Sequence, residues 1–215
     1  MLQCLALKLR NLTYKNRRAL KPGNRIELPQ SSERRLKKTT IKLRGSNNRL
    51  VIGENVTLTH CEIRLDGSDN LIEIGDNVRF SGGKIYLVGT RGQHIRIGAD
   101  TTVEGAYLLV DEAASIDIGR DCMFSADIII RTGDKHSILD GVSGERVNRS
   151  RSIHIGDRVW IGRDVVVLKG TVLHPETVVA TRSLVSRAFD EGCCVVAGVP
   201  AKVVKRGTRW DRRML

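Results

Sequence analysis

The chain has 215 residues, 40% of them hydrophobic but only 4% aromatic, and a formal net charge of +12. That length and composition set one domain with a narrow aliphatic core rather than a globular core built on aromatic rings. No run approaches the roughly 18 apolar residues that a bilayer span needs, and the opening MLQCLALKLR is too short and too early charged for a secretion signal, so the expected compartment is the cytoplasm.

Residues 1–44 read as a basic N-terminal segment, with thirteen Lys or Arg against Glu27 and Glu33, a net of +11. The remainder is nearly neutral. Such an arm either draws an anionic polymer or an acidic membrane face towards the protein, as a peripheral contact, or is a plain solvated segment. Tyr14 is its one aromatic residue, which leaves few stacking platforms and disfavours nucleic acid.

Downstream, one dipeptide recurs: Ile52-Gly53, Ile74-Gly75, Ile97-Gly98, Ile118-Gly119 and Ile155-Gly156, each after a short strand-like run. The first four are 22, 23 and 21 residues apart and the last step is 37. A unit of this size that repeats is a solenoid coil, because one copy cannot bury its apolar face without a neighbour stacked on it. The twenty-one glycines suit many tight bends. The surplus in the last step must loop out, and residues 125–150, SADIIIRTGDKHSILDGVSGERVNRS, are the segment that does so. Long insertions between regular repeats are where function concentrates.

After that loop a finer period emerges: Ile155, Ile161, Val167, Leu173, Val179 and Val185 lie six apart, with Val159, Val165, Thr171, Thr177 and Ser183 four places after the first five. Six fits neither a helical turn nor strand alternation. A short strand and a bend per hexad does fit, and three hexads close a triangular coil with its aliphatic corners inward. Pro200, in Gly198-Val199-Pro200-Ala201-Lys202, removes a donor and should end the last coil. The five cysteines, Cys4, Cys61, Cys122, Cys193 and Cys194, are odd in number and lack a C-x-x-C spacing, so neither a disulfide framework nor a metal site is indicated.

These hexads resemble the hexapeptide-repeat acyltransferases over residues 45–206. Within that family, Asp134-Lys135-His136-Ser137-Ile138, then Gly144-Glu145-Arg146-Val147-Asn148, then Ile155-Gly156-Asp157-Arg158-Val159-Trp160-Ile161-Gly162 are similar to the capsular polysaccharide and sialic acid O-acetyltransferases. The resemblance implies a left-handed parallel β-helix, all-β, with a short tail at 207–215. It further implies a homotrimer with active sites between subunits, acetyl-CoA as co-substrate, no metal, and a sugar or polysaccharide acceptor. Ala180, Thr181 and Arg182 depart from the family pattern, which would place a Gly there.

Direct transfer to a sugar hydroxyl needs a base, because the hydroxyl is a weak nucleophile at neutral pH. Imidazole takes its proton and can return it to the leaving thiolate. His136 is the expected base and Asp134 the nearest candidate to orient it. By resemblance, Trp160 lines the neighbouring subunit's acyl tunnel, where its indole N–H serves as a donor. Lys135, Ser137, Arg163, Lys169, Thr181, Ser183 and Lys202 are the expected acetyl-CoA contacts. Trp210 is expected to cover either the adenine or the base of the trimer. The alternatives are an N-acetyltransferase acting on a nucleotide-linked amino sugar and a non-catalytic scaffold, for which the DKHSI segment would have no use.

Overall fold

The computed structural model describes residues 22–89 and 91–215. Over them the chain winds into about seven coils whose strands collect into three sheets. The first sheet holds Arg25–Glu27, Arg49–Ile52, Leu71–Ile74, His94–Ile97, Ser115–Ile118, Ile153–Ile155 and Val172–Leu173. The second holds Leu36–Lys37, Thr57–Thr59, Arg79–Phe80, Thr102–Val103, Met123–Phe124, Trp160–Ile161, Val178–Val179, Cys194–Gly198 and Ala201–Arg206. The third holds Thr40–Leu43, Cys61–Leu65, Gly83–Val88, Ala106–Asp111, Ile128–Arg131, Val166–Leu168 and Leu184–Val185.

Hexad spacing translates directly into this packing. Ile155, Ile161, Val167, Leu173, Val179 and Val185 are fully buried, and Val159, Val165, Thr171, Thr177 and Ser183 are buried beside them. The two inward threonines cost little, since the Thr171 hydroxyl donates to Leu168 O at 2.7 Å and that of Thr177 to His174 O at 2.7 Å. Like stacks on like along the axis: Ile52 pairs in register with Ile74, Ile74 with Ile97, Ile97 with Ile118, and Ile118 with Ile155.

The glycine of each Ile-Gly pair answers to crowding, not to bend conformation. A Cβ on Gly98 would lie 2.5 Å from the carbonyl of Gly119, and one on Gly119 2.5 Å from that of Gly156. The bend itself falls two residues later, at Asn55, Asn77, Asp100 and Asp121, all with φ between 51° and 64°. Asn and Asp tolerate that left-handed region best among residues with a side chain.

Two of three boundaries differ from expectation. The solenoid does not begin at residue 45: Arg25–Glu27, Leu36–Lys37 and Thr40–Leu43 already pair in parallel with the next coil, and Leu36 and Ile41 enter the core. Residues 25–44, with seven of the thirteen basic side chains, are therefore coil surface, while Cys4, Tyr14 and the other six basic residues lie outside the described residues. This coil lacks an Ile-Gly pair, so the repeat search passes over it. Pro200 does end the last parallel coil, but not the strand pairing. Val199 and Pro200 turn a hairpin that brings Ala201–Arg206 antiparallel to Cys194–Gly198 as a ninth strand of the second sheet. The third boundary is that of the loop, described next.

Candidate active site

The extruded segment is residues 132–152, not 125–150, because Ile128 and Ile130 point into the core and hold Ile128–Arg131 between its third-sheet neighbours. Leaving the sheet, the chain passes Gly133 tightly: a Cβ there would come 2.9 Å from the Asp111 side chain. Lys135 follows with φ of 66° and reaches back to Asp111 at 3.6 Å.

Beyond it the loop folds on itself as a small hairpin. Leu139 bridges Arg146 antiparallel, Val147 N–H donates to Ile138 O at 2.9 Å, and Asp140 caps the turn by accepting from the N–H groups of Val142 (3.0 Å) and Ser143 (2.8 Å). Asn148 is its hub. Nδ2 donates to Asp134 Oδ2 and to His136 O, both at 2.8 Å, while Oδ1 accepts from Ile138 N–H at 2.8 Å and from Arg146 Nε at 3.1 Å. The side chain is only 7% exposed, so these bonds form away from water, where leaving one unmade is costly.

Two ion pairs dock this hairpin onto the solenoid. Lys169 donates to Asp134 Oδ2 and, at 3.0 Å, to Asn148 O; that ammonium holds the Asp134 carboxylate below its usual range, with the Asn148 amide adding to the effect. Glu112 takes Ser150 N–H at 2.8 Å and the Arg146 guanidinium, and these donors lower its pKa to about 2. His136 is exposed on this braced frame, and among the described residues its ring makes no hydrogen bond. Asp134 makes no bond to the imidazole: its Oδ2 is taken by Lys169 and Asn148. Among the other histidines, His94 faces Asp117 at 3.1 Å on the first sheet, and no cluster of three potential metal ligands exists among the described residues.

Trp160 is 38% exposed on the outer face of the second sheet. Its ring meets that of Trp210 at 6.1 Å. Trp210 is itself buried, donating Nε1 to Arg158 O at 2.6 Å with the Arg158 guanidinium 5.3 Å from its ring. The tail thus folds back on the coils to prop Trp160. Sequence reasoning had no signal for this, since the contact spans 50 residues.

The expected acetyl-CoA contacts divide. Ser183 is 1% exposed and its hydroxyl accepts from Gly198 N–H at 3.2 Å, so it is a hexad core residue rather than a surface donor. Lys169 is spent on the loop and Lys135 on Asp111. Ser137 and Thr181 are exposed, Arg163 is exposed and paired with Asp127 at 2.8 Å, and Lys202 is exposed with no acid partner among the described residues. Glu112 is a site residue that the sequence reading did not name, and Arg146 and Asn148 stood in the quoted run without a role.

No family model matches the chain. Among curated proteins it is similar to a polysialic acid O-acetyltransferase of Escherichia coli O1:K1 / APEC, 34% identical over 59% of this chain and 41% of that one. It is also similar to the polysialic acid O-acetyltransferase of Neisseria meningitidis, 35% identical over 56% of each chain. The matches thus span about half the length of these curated relatives. Two solved structures extend further: the polysialic acid O-acetyltransferase OatWY, with a TM-score of 0.86 and 34% identity over 90% of each chain, and the polySia-specific acetyltransferase NeuO, with a TM-score of 0.80 and 32% identity over 89% of this chain and 86% of that one. Likeness at that identity, running through nearly every coil and not only the stretch around the loop, makes this chain a member of the hexapeptide-repeat acyltransferase family with its left-handed β-helix.

Proposed function

We propose that the protein is an acetyl-CoA-dependent O-acetyltransferase acting on a hydroxyl of a bacterial surface polysaccharide or its sugar precursor, with sialic acid polymers the foremost acceptor. The observation that carries this reading is His136: an exposed imidazole with both ring nitrogens open, mounted on a hairpin that is pinned at Asn148, Lys169 and Glu112. A base must be held still yet left free to take a proton, and this arrangement does both. The names of the similar proteins point to the same acceptor.

His136 removes the proton of a sugar hydroxyl as its oxygen adds to the thioester carbonyl. The tetrahedral oxyanion then collapses, the C–S bond breaks, and the imidazolium returns its proton to the leaving thiolate. The Trp160 indole N–H is the donor that stabilises the developing charge. Arg163, Thr181 and Lys202 on the last coils meet the coenzyme's phosphate end, with Ser137 near the thioester.

His136 stands on the loop between the third and first sheets and Trp160 on the second sheet, which supports a complete site built in a homotrimer, His136 from one copy and Trp160 from the next. The enzyme acts in the cytoplasm, where it meets its acyl donor. Substituting His136→Ala should lower kcat by roughly 10²–10⁴-fold with acetyl-CoA and polysialic acid, followed as free thiol release. Unchanged turnover would remove His136 from the mechanism.

A further inference from the structure

The outer face of the second sheet carries one side chain per coil in a straight row, exposed at Trp160, Arg79 and Arg35 and half-buried at Met123, Thr102 and Thr57. Trp160 pairs in register with Met123, Met123 with Thr102, Thr102 with Arg79 and Arg79 with Thr57. Arg35 continues the row, its carbonyl accepting from Leu58 N–H at 3.3 Å. Two concavities lie along this row, of about 540 and 400 Å³. Arg79, Thr102 and Arg212 line both, so they form one groove that runs from Trp160 towards the first coil.

With neighbouring strands about 4.8 Å apart, Arg79 lies about 14 Å from Trp160 along the axis and Arg35 about 10 Å further. Of the acids on this wall, Asp121 pairs with Arg158 and Arg212 at 2.6 and 2.9 Å, whereas Asp100 accepts from the Asn77 amide at 2.9 Å and Glu104 from the Ser125 hydroxyl at 3.4 Å, and both keep their charge. Arg35 and Arg79 have no acid partner among the described residues. The groove therefore presents two guanidinium groups free of ion pairs, at intervals along a wall of hydroxyls and amides that also holds the Asp100 and Glu104 carboxylates.

We infer that this groove is the acceptor track, holding an extended carboxylate-bearing glycan along the solenoid axis with Arg79 and Arg35 on its carboxylates, so that successive sugars reach Trp160. The inference rests on the acetyl-transfer reading and deepens it. Guanidinium forks suit carboxylates, and threonine and asparagine side chains suit sugar hydroxyls. The lining's aromatics are Trp160 and Phe124, and the Phe124 ring is buried, so one exposed stacking platform makes a single-stranded nucleic acid the poorer fit.

The test is binding of end-labelled polysialic acid to the full chain, measured in parallel with acetyl transfer. Arg79→Glu should weaken binding about tenfold or more, the loss expected for a charge-assisted contact turned repulsive, and raise KM for the polymer in step. Arg25→Glu makes the same charge change on the first sheet and should alter binding less than twofold. Equal effects from the two variants, no effect from Arg79→Glu, or equally tight binding of single-stranded DNA would overturn the track. A wild-type protein that binds the polymer with this pattern yet transfers no acetyl group would instead overturn the catalytic reading and leave the track standing.

Discussion

Asn148 turns an exposed loop into a fixed platform, because one amide satisfies four groups at once. Its two bonds from Nδ2 tie the strand bearing His136 to Asp134, and its Oδ1 collects Ile138 and Arg146. Removing that amide leaves the imidazole present but free to wander, and a displacement of about 1 Å at a reacting group costs on the order of 10²-fold. Asn148→Ala is therefore expected to lower kcat by roughly that factor while leaving KM for acetyl-CoA little changed. If Asn148 acts through His136, the double variant Asn148→Ala/His136→Ala will be no slower than His136→Ala alone. Additive losses in that cycle would give Asn148 an independent role. His136, the proposed base, stands out in the sequence because a lone His in a long insertion is a local signal. Its support was not, since Asp134 is adjacent in sequence but bonds to Lys169, 35 residues away.

Coils are set by contacts repeated from one turn to the next, and the Ile-Gly pair shows which part of that is readable. The isoleucine reports a core position, and the glycine reports how closely two coils approach. Gly98→Ala would push a methyl group into the backbone of the next coil, where Gly119 C and O and Arg120 N all stand within 2.7 Å of the new atom. Neither side can yield without disturbing a sheet, so a loss of about 1–3 kcal/mol is expected in urea unfolding. Gly141→Ala, where no atom lies within 4 Å, should be neutral in the same measurement. The first coil escaped notice because it lacks this dipeptide, although it shares strand pairing, core positions and a polar ladder with the coils that follow. Asn24 Oδ1 takes Asn48 N–H at 2.8 Å, Asn48 Oδ1 takes Asn70 N–H at 3.1 Å, and Asn70 Oδ1 takes Gln93 N–H at 2.9 Å. Such a buried amide ladder has no spacing rule that separates it from ordinary surface asparagines until the coils are stacked.

For the whole molecule, the outer face of the third sheet changes character along the axis. One row begins Thr40, Glu62 and Lys84 on the early coils and continues Tyr107, Ile129, Val166 and Leu184 on the later ones. Ile129 is 39% exposed, and Leu168 in the adjoining row is half-buried. A contiguous apolar face on the coils that carry the loop is what a closed assembly would cover. If the protein is the proposed trimer, Ile129→Asp with Leu184→Asp should then shift it to monomer by light scattering, and abolish transfer even though both positions lie outside the chemistry. Complementation is the sharper measurement. His136→Ala and Trp160→Ala chains, each inactive alone, are unfolded together and reassembled. If each site takes its imidazole from one copy and its indole from another, roughly a quarter of the sites in a random trimer combine two intact groups and activity returns to that level. A mixture that stays inactive while trimers demonstrably exchange subunits would place both groups within a single chain's site.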